Sequence, residues 1–467
     1  MSEFNVILSS DSYKYSQFNQ YPKGTEYVYS YIESRGGYYD QCVYFGLQFF
    51  LKKLEANPVT MEMIDEAESY IVPHGLPFNR EGWEYIVKAH NGRLPIEIRA
   101  LDEGTVVDNK VVLVTIMNTD RKCYWLPSFL ETALLKAVWY PTTVATNSMY
   151  SKTIIAKYLE MTGTPELIDF KLHDFGFRGV SSDESAMIGG VAHLVNFKGT
   201  DTVAALVGAR KYYSCDMAGF SIPAMEHSTV TSWGRENETK SFSNMMELYA
   251  KPNSISAYVS DSYDIYEACR KWGTELKDKV IASGGTIVIR PDSGDPAVVV
   301  RDCLIILDKY FGHTMVKGYR LLNNVRIIQG DGINHKSIED ILFNAKIAGY
   351  SADNIAFGQG GALLQAVDRD TLKFAMKCSA IAVREQTGNR EDGILGKLVW
   401  RDVYKDPITD SGKVSKRGRF SVIKNGTKYE TVGLIPGSDR DELKPRFMNG
   451  VLVNTTTLDA VRERAKI

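Results

Sequence analysis

The feature that most restricts the fold of this chain is a pattern that repeats seven times between about residues 165 and 380. Each repeat has a short apolar run, then a loop rich in Gly, Asp, Ser or His, then a helical pattern. This alternation predicts βαβ units around a parallel sheet, and seven units predict an α/β fold with an irregular, TIM-like β/α barrel. The repeats contain "FKLHDFGFRG", "HLVNFKGTDT", "GFSIPAMEHST", "ISAYVSDSYD", "TIVIRPDSGD", "VRIIQGDG" and "NIAFGQGG".

The two ends of the chain have a different pattern. Apolar and polar residues alternate in "GTEYVYSYIESR" and "LPIEIRALDEGTVV" before the repeats, and in "KLVWRDVY" after them. Such alternation is typical of antiparallel strands with one buried face. We therefore predict a second, mostly antiparallel domain of residues 1–145 and 385–467, with the barrel formed by residues 146–384. The loop 384–397, "REQTGNREDGILGK", is predicted to be mobile.

Composition excludes several classes of protein. A net charge of −2 gives no overall attraction to nucleic acid, and no apolar run approaches the length that crosses a bilayer. The N-terminus lacks the pattern of a signal peptide. The six cysteines occur singly, without a C-x-x-C pair, which predicts reduced thiols rather than a zinc site or disulfides. We expect a cytoplasmic protein that binds neither nucleic acid nor membrane.

Polar residues follow the predicted strands at intervals of about one βα unit. In a parallel barrel the loops after the strands all open on one face, where active sites are built. Residues that are far apart in the sequence are therefore expected to converge at one rim. They are Asp201, His227, Asp261, Asp264, Asp292, Asp331 and Gly360.

Carboxylates and the guanidinium of Arg290 at one rim suit a magnesium-bound phosphorylated sugar, because Mg²⁺ prefers one or two carboxylates together with substrate oxygens and water. The loop "FGQGGALLQ" runs into a helix, so its backbone N–H groups can form an anion site. Each carboxylate could instead cap a helix, and the glycines could be simple turn residues. His227 could be a structural histidine, but its position in a rim loop favours a functional role.

An aromatic ring and two basic side chains follow the first predicted strand. His173, Phe175 and Arg178 would suit a flat heteroaromatic ligand and an anion, although a Phe at a strand end is ordinarily part of the core. No H-E-x-x-H or G-x-S-x-G motif occurs. Zinc hydrolysis and serine-type acyl transfer are therefore unsupported.

Short sequence motifs carry a resemblance over nearly the whole chain. In chain order they are "DSYK", "VYSYIESR", "YPTTVATNS", "KLHDFGFRGVSS", "HLVNFKGTDTVA", "EHST", "VSDSYDIY", "IRPDSG", "QGDG" and "IAFGQGGALLQ". They resemble the nicotinamide phosphoribosyltransferase family, among the type II phosphoribosyltransferases. The resemblance implies transfer of a phosphoribosyl group from phosphoribosyl pyrophosphate to nicotinamide, giving nicotinamide mononucleotide and pyrophosphate. That reaction salvages nicotinamide for NAD.

The resemblance also implies a ring site shared by two subunits of a homodimer. Phe175 stacks one face of the pyridine ring, and Tyr13 of the partner subunit stacks the other. Asp201 accepts a hydrogen bond from the carboxamide, which favours nicotinamide over nicotinate because an ionised acid meets a like charge.

Further implied roles concern the phosphates, Mg²⁺ and ATP. His227 is phosphorylated by ATP, a co-substrate, with Asp264 orienting the imidazole and Ser260 nearby. Asp292 and Asp331 lie on ribose hydroxyls or in the magnesium shell, and Asp292 and Asp264 are the candidate Mg²⁺ ligands; no organic prosthetic group is expected. The remaining implied contacts to ribose and phosphates are Arg290, Arg178, Gly330, Gly360, Gly361, Lys405 and Lys413, with Arg35, Arg369 and Lys377 from the other subunit.

Three alternatives remain open from the sequence. A nicotinate phosphoribosyltransferase would share the architecture and differ in how the pyridine substituent is recognised. A Schiff-base aldolase would use Lys198 or Lys171, near strand ends, as the amine. A non-catalytic pyridine-nucleotide binding protein would neither become phosphorylated on His227 nor release pyrophosphate.

Overall fold

The computed structural model describes residues 4–385, 396–409 and 413–466. The loop predicted to be mobile lies largely outside these ranges, because residues 386–395 are not described. The chain divides into two compact units: a terminal unit of Met1–Thr143 with Asp368–Ile467, and a central unit of Val144–Val367. None of the helices in the described ranges combines the length and the apolar character needed to cross a bilayer.

The strands, in chain order, are β1 Thr25–Glu33, β2 Gln41–Val43, β3 Ile96–Ala100, β4 Val106–Asp108, β5 Val112–Asn118, β6 Leu172–Asp174, β7 Gly199–Thr200, β8 Ile255–Val259, β9 Thr286–Arg290, β10 His313–Val316, β11 Tyr319–Leu322, β12 Val325–Gln329, β13 Ile355–Gln359, β14 Ala375–Arg384, β15 Leu398–Asp402, β16 Phe420–Asn425, β17 Lys428–Gly433, β18 Lys444–Met448 and β19 Val451–Leu452.

The α-helices are α1 Leu47–Ala56, α2 Met61–Ile71, α3 Arg80–His90, α4 Leu126–Phe129, α5 Glu131–Thr162, α6 Asp183–His193, α7 Val203–Tyr213, α8 His227–Thr231, α9 Glu238–Tyr249, α10 Ile265–Thr274, α11 Lys277–Ser283, α12 Pro296–Phe311, α13 His335–Ile347, α14 Gly361–Leu364 and α15 Leu458–Arg464.

The terminal unit is built around an antiparallel sheet with the strand order β15-β14-β1-β5-β3-β18-β19. Strands from both chain ends therefore pair with each other, for example Ser30 of β1 with Cys378 of β14. Residues 368–384, which we assigned to the barrel from the sequence, lie in this unit instead. The error arises because β14 is a nearly continuous apolar run, and such a run fits a buried antiparallel strand as well as a parallel one.

The central unit contains a parallel sheet with the strand order β7-β6-β13-β12-β9-β8. Every pairing in this sheet is parallel. The mixed α/β fold, with a parallel sheet in one unit and an antiparallel sheet in the other, is therefore confirmed. Residues 220–224, in the third predicted repeat, form one parallel bridge with each edge strand: Phe220 with Gly199 of β7, and Ala224 with Ala257 of β8.

The two faces of the parallel sheet pack differently because side chains alternate along each strand. On one face, Ile287 and Ile289 of β9 join a large cluster with helix residues such as Trp272. On the other face, Val288 packs in a small cluster with Ala257 and Ile328, and Phe175 is partly buried against it. The second face thus leads to the end of the sheet where Phe175 lies.

Candidate active site

The predicted polar loops all lie at the carboxyl edge of the parallel sheet. Phe175 directly follows β6, Asp201 directly follows β7, and Asp261 is the second residue after β8. Arg290 is the last residue of β9, and Gly330 follows β12. Because the strands are parallel, their carboxyl ends lie at one edge, which is where open α/β sheets and β/α barrels bind ligands.

Phe175 is seated on glycine backbone. A Cβ atom added to Gly358 of β13 would lie 2.0 Å from Cε2 of Phe175, and one added to Gly330 would lie 3.3 Å from the same atom. The ring therefore requires a residue without a side chain at position 358. The sequence analysis did not single out Gly358, although a glycine inside a strand is a recognised sign of close approach. Phe175 stays partly exposed, so its ring can also pack against a flat ligand.

Asp201 lies beside Phe175 and is oriented by a serine. The β6–β7 register pairs Asp174 with Thr200, so Phe175 and Asp201 are the next residues along adjacent strands. The hydroxyl of Ser221 donates a hydrogen bond of 2.5 Å to Oδ1 of the exposed Asp201 carboxylate. No motif marks Ser221 in the sequence. It reaches Asp201 because Phe220, the residue before it, forms a bridge with Gly199 of β7.

His173 supports this edge of the site from its own strand. Its Nε2 lies 3.2 Å from the carbonyl oxygen of Phe170, and its ring centroid lies 6.3 Å from that of Phe175. Burial lowers the pKa of His173, so the neutral imidazole donates to that carbonyl at neutral pH. The residue is therefore held by its own backbone neighbourhood rather than left free for a ligand.

Arg290 and Asp292 form an ion pair of 2.9 Å between Nη2 and Oδ2. Nε of Arg290 is buried without a hydrogen-bond partner among the described residues. Oδ1 of Asp292 lies 3.6 Å from the position of a Cβ on Gly330, which brings it near the loop after β12. The pair presents a fixed guanidinium and a carboxylate oxygen that a phosphorylated ligand could use.

His227 lies in a second group of polar side chains. Its Nε2 lies 3.0 Å from Oδ1 of Asp261, and Ser293 Oγ donates 2.7 Å to Oδ2 of the same carboxylate. The His227 side chain is 45% exposed, whereas that of Asp261 is 4% exposed. A buried carboxylate that orients an accessible imidazole is an arrangement that activates histidine as a nucleophile or base.

Two residues that the resemblance placed beside His227 have other partners. Asp264 caps α10, accepting hydrogen bonds of 2.9 Å and 3.0 Å from the backbone N–H groups of Tyr266 and Glu267. The carboxylate that contacts His227 is Asp261, three residues earlier; spacing alone did not distinguish the two. Ser260 is fully buried, and its hydroxyl donates to the Tyr258 carbonyl and accepts from Trp272 Nε1, so it does not reach a ligand.

The remaining predicted residues of the central unit lie at the same edge with open surroundings. Gly360 immediately precedes α14 and Gly361 begins it, and a Cβ on Gly361 would meet nothing within 4 Å. The side chains of Arg178 and Asp331 are exposed, with no hydrogen bond or ion pair to another described residue. All four are accessible to a ligand.

The terminal unit brings several of the predicted basic residues together. Burial lowers the pKa of Lys377. Nearby Glu131 opposes this shift, and the charges of Arg35, Lys14 and Arg369 add to it. Arg35 donates 3.1 Å to Glu33, and its Nη2 is buried without a partner in the described chain. Lys14 is a member of this cluster that the sequence analysis missed.

Three other predicted residues of the terminal unit are exposed. The Tyr13 side chain is 57% exposed. Lys405 and Lys413 lie on one loop, which is closed by two hydrogen bonds between Lys405 and Ser415. These positions are accessible, but the contacts do not assign them a ligand.

The lysines of the aldolase alternative lie at the wrong ends of their strands. Lys171 precedes β6 and Lys198 precedes β7, so both are at the amino ends. Nζ of Lys171 is buried and donates to the carbonyls of Asp353 and Ile355 at 2.9 Å and 3.1 Å. Lys198 is paired with Asp169 at 2.9 Å. Neither amine can meet a substrate bound at the carboxyl edge.

The chain is similar to known proteins over nearly its whole length. Residues 170–449 match the model of the nicotinate phosphoribosyltransferase (NAPRTase) family, and residues 5–98 match the N-terminal domain of nicotinamide phosphoribosyltransferase. The nicotinamide phosphoribosyltransferase of Xanthomonas campestris pv. campestris (strain 8004) is 53% identical over 99% of this chain and 98% of its own length. The chain belongs to the nicotinamide phosphoribosyltransferase family.

More distant members of the nicotinamide phosphoribosyltransferase family also match over the full length. The enzyme of that name from Acinetobacter baylyi (strain ATCC 33305 / BD413 / ADP1) is 31% identical over 98% of this chain and 97% of its own. Among solved structures, the nicotinate-nucleotide pyrophosphorylase of Pyrococcus furiosus has a TM-score of 0.61 at 18% identity, covering 100% of this chain and 97% of that one. This last likeness shows a shared fold.

The buried carboxyl of Asp174, directly before Phe175, gives a prediction about stability. Burial raises the pKa of Asp174 from 3.8 to about 6. Between these values the folded protein binds more protons than the unfolded chain, so wild-type stability falls as pH rises through this window. Asn cannot ionise but can still accept the 2.7 Å hydrogen bond from the Gly176 N–H. We therefore expect the Tm of Asp174→Asn minus the Tm of wild type to increase between about pH 4.5 and about pH 7.0.

Thermal unfolding of both proteins in the same two buffers measures this difference. The exposed Asp216→Asn is the control for removing one negative charge from the same unit. A Tm difference that is the same at both pH values would contradict the assignment of a proton to folded Asp174.

Proposed function

We propose that this protein transfers the phosphoribosyl group of phosphoribosyl pyrophosphate to nicotinamide, giving nicotinamide mononucleotide and pyrophosphate in a salvage route to NAD. The observation that carries the proposal is the pair Phe175 and Asp201, adjacent at the carboxyl edge, with Ser221 fixing the carboxylate. An aromatic ring beside an acceptor-only group suits a pyridine ring with a carboxamide that donates N–H. Family membership supports the same substrate class.

The choice between amide and acid rests on Asp201. Ionised Asp201 accepts from a carboxamide NH₂ but repels the carboxylate of nicotinate, and the Ser221 hydroxyl already occupies one of its oxygens. Nicotinate phosphoribosyl transfer is the alternative function, since the family model that covers residues 170–449 carries that name. The amide is favoured because the described residues nearest Asp201 include no cation that pairs with it.

The chemistry needs alignment and charge stabilisation rather than a base. The pyridine nitrogen of nicotinamide forms a bond to the anomeric carbon, while the bond from that carbon to the pyrophosphate oxygen breaks and pyrophosphate leaves with the electron pair. The nitrogen is neutral and carries no proton to remove. Arg290, oriented by Asp292, and the exposed Arg178 would stabilise the departing negative charge.

Magnesium is part of the proposal, and the donors at the site fit an ion that arrives with its substrate. No group of three or more His, Cys, Asp or Glu side chains that could hold a metal occurs among the described residues. Mg²⁺ commonly takes one or two carboxylates and completes its shell with substrate phosphates and water. Asp292 fits this role through Oδ1, because its Oδ2 pairs with Arg290. Asp264 could offer only Oδ2, because its Oδ1 caps α10. When bound, Mg²⁺ would neutralise charge on the leaving pyrophosphate.

The selectivity of Asp201 can be tested directly. We expect Asp201→Asn to lower the ratio of kcat/KM for nicotinamide to that for nicotinate by roughly 10- to 100-fold, because it removes the like charge that excludes the acid. Ser221→Ala should lower the ratio by only about 3- to 10-fold, because the charge stays and one orienting hydrogen bond is lost. The measurement is formation of mononucleotide and pyrophosphate from each pyridine with phosphoribosyl pyrophosphate and Mg²⁺.

The same assay tests the proposed function on the wild-type protein. Faster turnover of nicotinate than of nicotinamide would replace the proposal by its alternative. Binding of nicotinamide without any release of pyrophosphate would instead leave a pyridine-binding protein.

We further propose that ATP phosphorylates His227 and that the phosphoenzyme assists substrate capture. Nε2 faces Asp261, so the lone pair of Nδ1 is the nucleophile: an N–P bond forms to the γ-phosphorus and the bond to the bridging oxygen breaks, releasing ADP. Asp261 would stabilise the positive imidazole as the phosphoryl group arrives. Exposure of the His227 side chain leaves it accessible to the nucleotide.

Labelling with [γ-³²P]ATP tests this step and the role of each nearby carboxylate. We expect acid-labile label on wild type, none on His227→Asn, and an initial rate about 100-fold lower on Asp261→Asn, because the neutral amide cannot stabilise the imidazolium. Asp264→Asn is the matched control: Asn is also a good N-cap, so α10 is preserved and labelling should stay within about twofold of wild type. Label on His227→Asn, or equal loss in both aspartate variants, would contradict the assignment.

A homodimer with shared sites completes the proposal. The basic cluster of Arg35, Lys377 and Arg369 would hold the 5′-phosphate of a ligand bound to the other subunit, beside the exposed Tyr13. The Arg35 guanidinium keeps one buried nitrogen, Nη2, without a hydrogen-bond partner among the described residues. A phosphate oxygen could accept a hydrogen bond from it.

Mixed dimers test whether the sites are shared. Tyr13→Ala and Arg290→Ala subunits should each be inactive alone, but each heterodimer then contains one intact site. Random mixing should therefore restore roughly a quarter of wild-type activity, since half of the dimers are mixed and one of their two sites works. Steady-state turnover after refolding or co-expression measures the recovery. No recovery, in mixtures shown to contain heterodimers, would mean that each subunit supplies its own Tyr13.

The bridges of residues 220–224 to β7 and β8 support closure of the parallel sheet into an irregular, TIM-like barrel, and an experimental structure in which this segment left either edge strand would contradict it. A cytoplasmic location fits the six cysteines, all of which lie in described residues and form no disulfide. Fractionation of cells that express the chain would test the location.

A further inference from the structure

The terminal unit contains a cleft that none of the candidate active-site residues lines. Its volume is about 510 Å³, and it lies between β18, the loop after β19 and α15. The size is within the range of small-molecule sites. The charged side chains that line the cleft are Lys444, Arg446, Arg464 and Asp102, and Thr456 adds a hydroxyl.

The charge of the cleft is positive. It has three cations against one carboxylate, and Asp102 is paired with Arg446 at 2.7 Å. Lys444 and Arg464 form no ion pair with any residue in the described ranges. Two cations thus face the cleft without a counter-charge, which favours an anionic ligand.

Arg464 is held in place with donors to spare. Its Nε donates 2.7 Å to the Glu103 carbonyl, and its Nη2 donates 2.7 Å to the hydroxyl of Thr456. Nη1 makes no hydrogen bond to a described residue. A planar guanidinium that is already ordered, with free N–H groups, is suited to phosphate because little further side-chain entropy is lost on binding.

A buried hydroxyl supplies a second, independent observation. Tyr44 is 0% exposed, and its OH has no hydrogen-bond partner among the described residues. Tyr44 lines a recess of about 20 Å³ that shares Arg446, Asn454 and Thr456 with the cleft. This volume suits one hydroxyl-sized group, and a buried polar group without a partner is rare in proteins.

We infer that this cleft binds a small phosphate monoester that carries a free hydroxyl group. The phosphate lies on Lys444 and Arg464, and the hydroxyl enters the recess and pairs with the OH of Tyr44. The ligand joins β18 to α15 and to the loop between β19 and α15. The cleft shares no residue with the candidate active site, so its ligand binding does not depend on the proposed transfer reaction.

Isothermal titration calorimetry with ribose 5-phosphate tests the site on the full chain carrying Arg290→Gln, which weakens the phosphate contacts of the active site. We expect binding with a Kd that is raised about tenfold by Lys444→Gln or by Arg464→Gln, each of which removes a charged hydrogen bond in the cleft and none at the active site. Lys466→Gln is the matched control, because this exposed lysine beyond α15 pairs with Glu463 and lies outside the cleft. The proposal is overturned if the Arg290→Gln protein binds no ribose 5-phosphate, or if Lys444→Gln and Lys466→Gln bind it equally.

The recess is tested by comparing two ligands on one variant. Tyr44→Phe removes only the hydroxyl, so it should weaken ribose 5-phosphate several-fold while leaving the affinity for inorganic phosphate unchanged. An equal effect on both ligands, or on neither, would show that the recess takes no ligand hydroxyl. Circular dichroism of each variant confirms that it is folded.

Discussion

Parallel hydrogen bonding between β6 and β13 determines where the candidate site lies. The register pairs His173 with Gly358 and Asp174 with Gln359, and the N–H of Phe175 donates to the Gln359 carbonyl at 3.0 Å. This one alignment sets the Phe175 ring on Gly358. A shift by one residue would place Phe175 against a side chain and turn alternate residues to the other face of the sheet. The position of the Phe175 ring relative to the loop after β13 depends on this pairing.

A short sequence pattern occurs twice at the candidate site, and in each copy one carboxylate contacts a site residue while the other caps a helix. The loops after β8 and β9 both read Asp-Ser-x-Asp, as Asp261 to Asp264 and Asp292 to Asp295. The second Asp of each caps the next helix, α10 or α12. The first Asp of each contacts a side chain of the candidate site, His227 or Arg290. The helix cap thus fixes the end of the loop, and the earlier carboxylate is left to orient that side chain.

Much of the fold could be predicted because the sequence pattern is local. Strand, loop and helix alternate over short distances in the central unit, and each polar loop follows its strand, so the side chains at the carboxyl edge could be named in advance. The assignment of β14 to the barrel was wrong because an apolar run does not indicate which strand it pairs with. The partner of a strand is decided by packing between distant segments, which the sequence of one strand does not contain.

The contacts inside the site were less predictable for the same reason. Ser221 and Gly358 are ordinary loop and strand residues until the tertiary structure brings them to Asp201 and Phe175. Asp261 and Asp264 are the same residue type in one short loop. Asp264 is the cap because α10 begins at the next residue, Ile265. Ser260 has a hydroxyl that could bind a phosphate, but this hydroxyl is buried and accepts a hydrogen bond from Trp272 Nε1.

The segment of residues 220–224 connects two parts of the candidate site. It is attached to each neighbouring strand by a single bridge, yet it carries Ser221 at one end and leads within three residues to His227 at the other. Ile222, between them, packs into the small inner cluster beneath Phe175. Ser221, which orients the Asp201 carboxylate, and the imidazole proposed to receive phosphate therefore lie on one short stretch of backbone between the two edge strands.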